Sequence, residues 1–181
     1  LLKAATELNP QFSPFHSIAA SSLEFNPLWG LGSSSTLVSL IAQWAGVNAL
    51  DLFFKTSVGS GYDVATAMAN APITYQLSDG KAIYKPVIFD PPFKHGLHFL
   101  YLGKKQRSTA EVLNFKDREV SDVTIKSISK ITSQILACTD FSIFQKLILE
   151  HETLTSKMLG CPTVKQQLFA DFDGEIKSLG A

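Results

Sequence analysis

Apolar positions change their period several times along the chain, and the changes mark its elements. From Ser34 to Ala45, Leu37, Leu40, Ile41 and Trp44 recur at helical spacing and share one face, which predicts a helix. Upstream, Ser17 to Phe25 reads as a strand that feeds a turn at Asn26-Pro27, with a glycine- and serine-rich loop before the helix. Strand, glycine loop and helix follow in the order that phosphate-binding sites use. A second glycine loop, Val58-Gly59-Ser60-Gly61, leads into a short helix from about Ser60 to Asn70. Ile73 to Leu77 and Lys81 to Val87 then flank Ser78-Asp79-Gly80, the pattern of a β-hairpin closed by a tight Asp-Gly turn.

Asp90-Pro91-Pro92 reads as a boundary, because paired prolines stop both a helix and a central strand. Beyond it, Gly96 to Leu102 alternates as a strand on His98, Leu100 and Leu102. Helices are expected at about Ser121 to Cys138, with Ile125, Ile128, Ile131 and Ile135 in register, and at about Asp140 to Leu159. Pro162 is placed to open a further short helix at its favoured first position. Phe172 to Ala181 reads as a strand running into a turn. Strands and helices mix without strict βαβ alternation, so the expected class is α+β, with two subdomains over residues 1–92 and 93–181.

Composition narrows the function classes. The 181 residues are enough for one domain or two small ones, and 45% hydrophobic with 18% charged residues describes an ordinary globular chain. Sixteen basic residues balance sixteen acidic ones, so no global field draws in nucleic acid or an anionic membrane. Cys138 and Cys161 are too few for a disulfide framework or a cysteine-rich metal site, which fits a reduced, cytoplasmic setting. The apolar stretch from Leu37 to Leu50 is broken by Ser39, Gln43, Gly46 and Asn48 and falls short of a membrane span. The chain opens at Leu1 rather than at methionine, as an internal fragment would.

Two loops carry candidate chemistry. In Gly30-Leu31-Gly32-Ser33-Ser34-Ser35, glycines let the backbone approach a ligand closely, and amides at the helix start attract anions. The adjoining hydroxyls can donate to phosphate oxygens or complete the oxygen shell of Mg²⁺. The structural alternative is that Ser33 or Ser34 simply caps the helix. The GK[ST] ending of a Walker loop is missing. In Ser60-Gly61-Tyr62-Asp63, the carboxylate of Asp63 could orient or deprotonate an acceptor hydroxyl. Its alternative is a capping box, since Ser-x-x-Asp is also a helix-start signature. Lys104, Lys105 and Arg107 could grip a phosphorylated substrate or form a solvated loop, and His16, His95, His98 and His151 show no metal spacing.

With the two loops set about thirty residues apart, the chain resembles the GHMP kinases, the family of galactokinase, homoserine kinase, mevalonate kinase and phosphomevalonate kinase. Pro27-x-x-Gly30-Leu31-Gly32-Ser33-Ser34 is similar to their phosphate loop. Gly59-Ser60-Gly61-Tyr62-Asp63-Val64-Ala65 resembles the loop that bears the catalytic aspartate in mevalonate and phosphomevalonate members, with wording nearer the latter. Three more diffuse likenesses are Gly103 to Thr109, Ser156-x-x-Leu159-Gly160-x-Pro162-Thr163-Val164, and Lys177-x-x-Gly180-Ala181, which resembles the start of the third, glycine-rich motif.

The resemblance implies a ribosomal protein S5 domain 2-like N-terminal domain, lacking its first strands here, followed by a ferredoxin-like C-terminal domain. It implies ATP and Mg²⁺ as cofactors, a small-molecule substrate and, as in many members, a homodimer. By residue, it puts the triphosphate on Gly30, Leu31, Gly32, Ser33, Ser34 and Ser35, makes Ser34 a Mg²⁺ ligand and Asp63 the catalytic carboxylate. Ser60, Gly61, Ser108 and Thr109 would lie near the substrate, and Gly180 and Ala181 would begin the loop that closes over the phosphates. The chain departs from the family where Leu28 replaces a common glycine, Trp29 is unusually bulky, Ser35-Thr36 replaces Ala-Ala, and Leu179 replaces a hydroxyl residue. Asp51 lies one residue out of register with the glutamate that helps bind Mg²⁺ in mevalonate kinases. Besides mevalonate or phosphomevalonate phosphorylation, a sugar kinase and a non-catalytic metabolite or nucleotide sensor of the same fold are the alternatives.

Overall fold

The structure, a computed structural model, describes residues 1–103 and 120–179, the side chain of His16 excepted. These residues form two units, one built on Leu1–Ile88 and the other on residues 89–100 and 120–179. They hold seven α-helices and one antiparallel hairpin. No helix among them is long and apolar enough to cross a membrane.

In the first unit, α1 (Leu2–Leu8) packs on α2 (Ser33–Ala45) and α3 (Ala49–Thr56), and α2 and α3 both pack on α4 (Tyr62–Met68). Local chemistry sets the joints. Gly46 ends α2 in a left-handed conformation with φ 64°. Two residues later the Asn48 side chain accepts hydrogen bonds from the amides of Leu50 (2.9 Å) and Asp51 (3.1 Å), which starts α3. The Asn9 side-chain amide donates to the carbonyl of Ala45 at 2.7 Å and ties the end of α1 to the end of α2. Strands β1 (Ile73–Ser78) and β2 (Lys81–Pro86) follow, with Tyr75 opposite Tyr84. Both turn residues, Asp79 (φ 51°) and Gly80 (φ 72°), are left-handed, as a two-residue hairpin whose twist matches its strands requires.

The core of this unit is made largely of small side chains: Ala5, Val38, Ala42, Ala45, Ala49, Leu52, Val64 and Ala65, closed at one side by Phe12. Its face on α2 differs from the expected one. Val38, Ala42 and Ala45 are buried and Ile41 of the expected face packs against the core, whereas Leu37, Leu40 and Trp44 remain about 40% exposed or more. The inward stripe is thus turned by roughly one residue, about 100° on a helix. Small side chains on that stripe let α2 lie close against α3 and α4. Trp44 still meets Phe12 edge to face at 5.0 Å.

The second unit is a helical hairpin of α5 (Asp122–Leu136) and α6 (Phe141–Leu159), followed by the short α7 (Val164–Leu168). Ser121, Asp140 and Thr163 cap the three starts, the last in a full capping box with Gln166. Pro162 therefore stands before the cap rather than at the first helical position. Ile131, Leu147 and Ile148 are buried here, and Phe93 packs its ring on Phe141 and Phe144.

Three expected strands are absent. Residues 17–24 are exposed throughout, Gly96 to Leu102 follows a 3-10 turn at Lys94–Gly96, and residues 172–179 run without regular structure. A strand exists only where a neighbour takes up its amides and carbonyls, and no such neighbour lies beside these segments among the described residues. The second unit accordingly has no strand among its described residues, so the sheet implied there by the ferredoxin-like expectation has no counterpart in them. Conversely, α1 and α3 form where the apolar pattern assigns no element.

Candidate functional site

The first glycine loop begins with a 3-10 turn at Pro27–Trp29, started by the Asn26 side chain, which accepts from the amide of Leu28 at 2.9 Å. Gly30 ends the turn in the left-handed region (φ 74°), and Gly32 (φ 76°) is the N-cap of α2. A Cβ added at either glycine would meet no atom within 4 Å, so positive φ and not crowding calls for glycine here. A tight turn that ends in a left-handed glycine presents successive N–H groups to one side, which suits an anion.

The cap identity removes the capping reading of the serines. With Gly32 as N-cap and no side-chain cap bond, neither Ser33 nor Ser34 caps the helix. Ser33, Ser34 and Ser35 are its first three residues, and the first amides of a helix have no intrahelical acceptor. Among the described residues their three hydroxyls make no hydrogen bond, whereas Thr36 and Ser39 turn back onto the carbonyls of Gly32 and Ser35. Leu28, Trp29 and Leu31 flank the loop half-exposed. The loop thus offers amides, free hydroxyls and open space, a donor set that fits phosphate oxygens and, at Ser34, an oxygen-seeking cation.

The second loop is built differently. Gly61, with φ 80°, is the N-cap of α4, again without a side-chain cap bond. Ser60 therefore precedes the cap, and the expected capping box between Ser60 and Asp63 does not form. Gly61 is buried against α3: an added Cβ would lie 3.1 Å from Leu50 Cδ2 and 3.3 Å from Phe53 and Phe54. A Cβ on Gly59 would touch the Phe53 ring at 3.4 Å. The Tyr75 hydroxyl of β1 donates to the carbonyl of Ser60. Asp63 sits in the first turn of α4 with its side chain exposed. Beside it, burial raises the Tyr62 phenol to about 12, and the charge and hydrogen bond of Asp63 push the same way.

α2 and α4 pack against each other, and Val64 and Ala65, the residues just after Asp63, share one core with Val38 of α2. From the end of α2, α3 and the loop after it span up to about 30 Å, enough to return the chain along the roughly 20 Å length of α2. Asp51 is exposed on α3, with its amide given to the Asn48 cap.

Ser108, Thr109, Gly180 and Ala181 lie outside the described residues, as do Lys104, Lys105 and Arg107. His95 falls in the 3-10 turn and His98 in the extended stretch after it. Among the described residues no three His, Cys, Asp or Glu side chains converge as a metal cage would require. Tyr75 is the site residue that sequence reasoning passes over. Its partner is fifteen positions away, and an aromatic on a hairpin reads simply as packing.

The second unit has its own polar cluster. Glu152, 5% exposed on α6, meets Lys177 Nζ at 3.3 Å, with His151 Nδ1 3.7 Å from the same carboxylate oxygen. Burial alone would raise the Glu152 carboxyl; the contacts from His151, Lys177 and the Ser178 backbone outweigh it and hold the group below its usual value. Lys165 pairs with Glu175 at 3.2 Å beside a cleft of about 390 Å³. Its charges are mutually neutralised, which suits a structural tie of the last described residues to α6 and α7.

No family model matches the chain, and neither a curated protein nor a solved structure matches it.

Proposed function

We propose that this chain is part of an ATP-dependent small-molecule kinase of the GHMP type, acting on mevalonate or phosphomevalonate. The observation that carries the reading is that the structural alternative to each motif goes unused. Both motif helices start at left-handed glycines, so the serines of the first loop and Asp63 of the second are not spent on capping. An amide-rich, hydroxyl-rich loop and an exposed carboxylate, on two helices packed together, are the parts that phosphoryl transfer needs.

In this mechanism the amides of Gly30 to Ser35 hold triphosphate oxygens, and Ser34 offers Oγ to the cation. Mg²⁺, when bound, neutralises charge on the phosphates. Asp63 orients the acceptor oxygen and, where that is the hydroxyl of mevalonate rather than a phosphate oxygen of phosphomevalonate, takes its proton as the oxygen bonds to the γ-phosphorus and the bridging oxygen leaves with ADP. The cytoplasmic setting and a homodimer belong to the same proposal.

The test is ATP turnover by the full chain against mevalonate, phosphomevalonate and a set of sugars, for wild type and Asp63→Asn. Turnover with one mevalonate compound, reduced about 10²- to 10⁴-fold in the variant, supports the reading. ATP binding without turnover on any acceptor refutes it in favour of a sensor, and turnover restricted to a sugar refutes the substrate.

A further inference from the structure

Asp63 stands between two fully buried core residues that follow it, Val64 and Ala65, and a less constrained turn that precedes it. Two of the three residues before Tyr62 are glycines at positive φ, Gly59 (141°) and Gly61 (80°), and α4 is a seven-residue helix with no side-chain cap. So short a helix is marginal on its own, and glycines restrict the chain least. The apolar fit of Gly61 under Leu50, Phe53 and Phe54 fixes the depth of the turn but not its rotation, because apolar contact is non-directional.

One directional contact remains. Among the described residues, the Tyr75 hydroxyl makes the only hydrogen bond that reaches this turn from a distant side chain, onto the Ser60 carbonyl. Its own position is well defined: Tyr75 pairs with Tyr84 across the hairpin, and their rings lie nearly parallel, 6.4 Å apart at 14°. Burial, and then the neighbouring Tyr84, raise the Tyr75 phenol above its ordinary value, so the donor keeps its proton at neutral pH. The hairpin thereby acts as a fixed frame to which the Ser60 peptide plane is pinned, one residue before the N-cap of α4.

We propose that Tyr75 is a positioning residue for the phosphoryl transfer assigned above, its hydroxyl setting the orientation of the turn that presents Asp63. The inference rests on that assignment. Misplacement of a reacting group by about an ångström can cost on the order of a hundredfold in rate without changing what the site binds. Tyr75 is thus expected to act on kcat rather than on ATP affinity.

The experiment compares full-length wild type, Tyr75→Phe and Tyr84→Phe by steady-state kinetics and by amide hydrogen exchange. Tyr75→Phe keeps the ring and its stacking, and removes only the donor. Tyr84→Phe removes a hydroxyl that makes no hydrogen bond among the described residues, and serves as the control. Tyr75→Phe should lower kcat about ten- to a hundredfold, leave the KM for ATP within about twofold, and speed exchange in the peptide spanning residues 57–68. Exchange in α5 and α6 should stay unchanged, and the control should match wild type in every readout. Active wild type with an unchanged kcat in Tyr75→Phe overturns the inference while leaving the kinase reading intact, and unchanged exchange at residues 57–68 overturns it as well. Wild type inactive on every acceptor overturns the kinase reading and the positioning role with it.

Discussion

Gly32 and Gly61 have nearly the same backbone conformation, φ 76° and 80°, and sit at the same N-cap position of their helices, yet they should respond very differently to alanine. At both sites the added Cβ strains a left-handed backbone, by about 1–2 kcal/mol. At both, a less flexible unfolded chain offsets roughly 0.4–1 kcal/mol of that loss. Gly32→Ala has nothing further to add, since its Cβ points into open space. The expected cost is roughly 0–1.6 kcal/mol. Gly61→Ala drives a methyl to 3.1 Å from Leu50 Cδ2 and 3.3 Å from two phenylalanine rings, all on one helix, where overpacking costs a further 1–3 kcal/mol or so. The expected total is roughly 1–4.6 kcal/mol, so the difference between the two variants is the overpacking term of about 1–3 kcal/mol. Both tryptophans, Trp29 and Trp44, lie in the first unit, so their fluorescence during urea unfolding reports on that unit directly. Equal losses in the two variants would refute the claim that Gly61 is held by steric fit against α3, and would leave backbone conformation as the sole reason for glycine there.

The buried carboxylate of the second unit gives a pH signature. A carboxyl held below its usual 4.5 in the folded state contributes stability that is complete above that value and is lost as pH falls through the lower folded value. Urea melts followed by far-UV circular dichroism should therefore weaken below about pH 4.5, and Glu152→Gln should flatten that slope while costing about 1–3 kcal/mol at pH 7; an unchanged slope would refute the role of Glu152. Asn48→Ala removes the acceptor of two amide hydrogen bonds at the start of α3 and should cost about 1 kcal/mol in the same fluorescence assay. No change there would mean that water replaces the cap without loss.

Both glycine loops, the hairpin and the long helices of the second unit were legible in the sequence, because each is decided within a few residues. A left-handed Asp-Gly pair closes a hairpin whatever surrounds it. Asp140 caps α6 through an amide three residues on, and Thr163 does the same for α7. The start of α3 was signalled by Asn48 in the same way, although the apolar pattern did not mark it.

What the tertiary structure alone decided depends on partners far along the chain. The buried stripe of α2 is the alanine-rich one because α3 and α4 must approach closely, and no periodicity within α2 chooses between two apolar faces. Gly61 looks like Gly32 in sequence, and only the aromatic side of α3 makes it crowded. Ser17 to Phe25 has strand-like residues but no neighbour among the described residues to bond its backbone, and residues 17–24 stay exposed without regular structure. The sequence by itself determined where the candidate phosphate loop and Asp63 lie along the chain, through the conformational freedom of glycine and the chemistry of hydroxyl and carboxylate. Only the tertiary structure showed that these side chains are free of capping duties, since each helix begins at a glycine, and packing pinned the second turn to a tyrosine fifteen residues away.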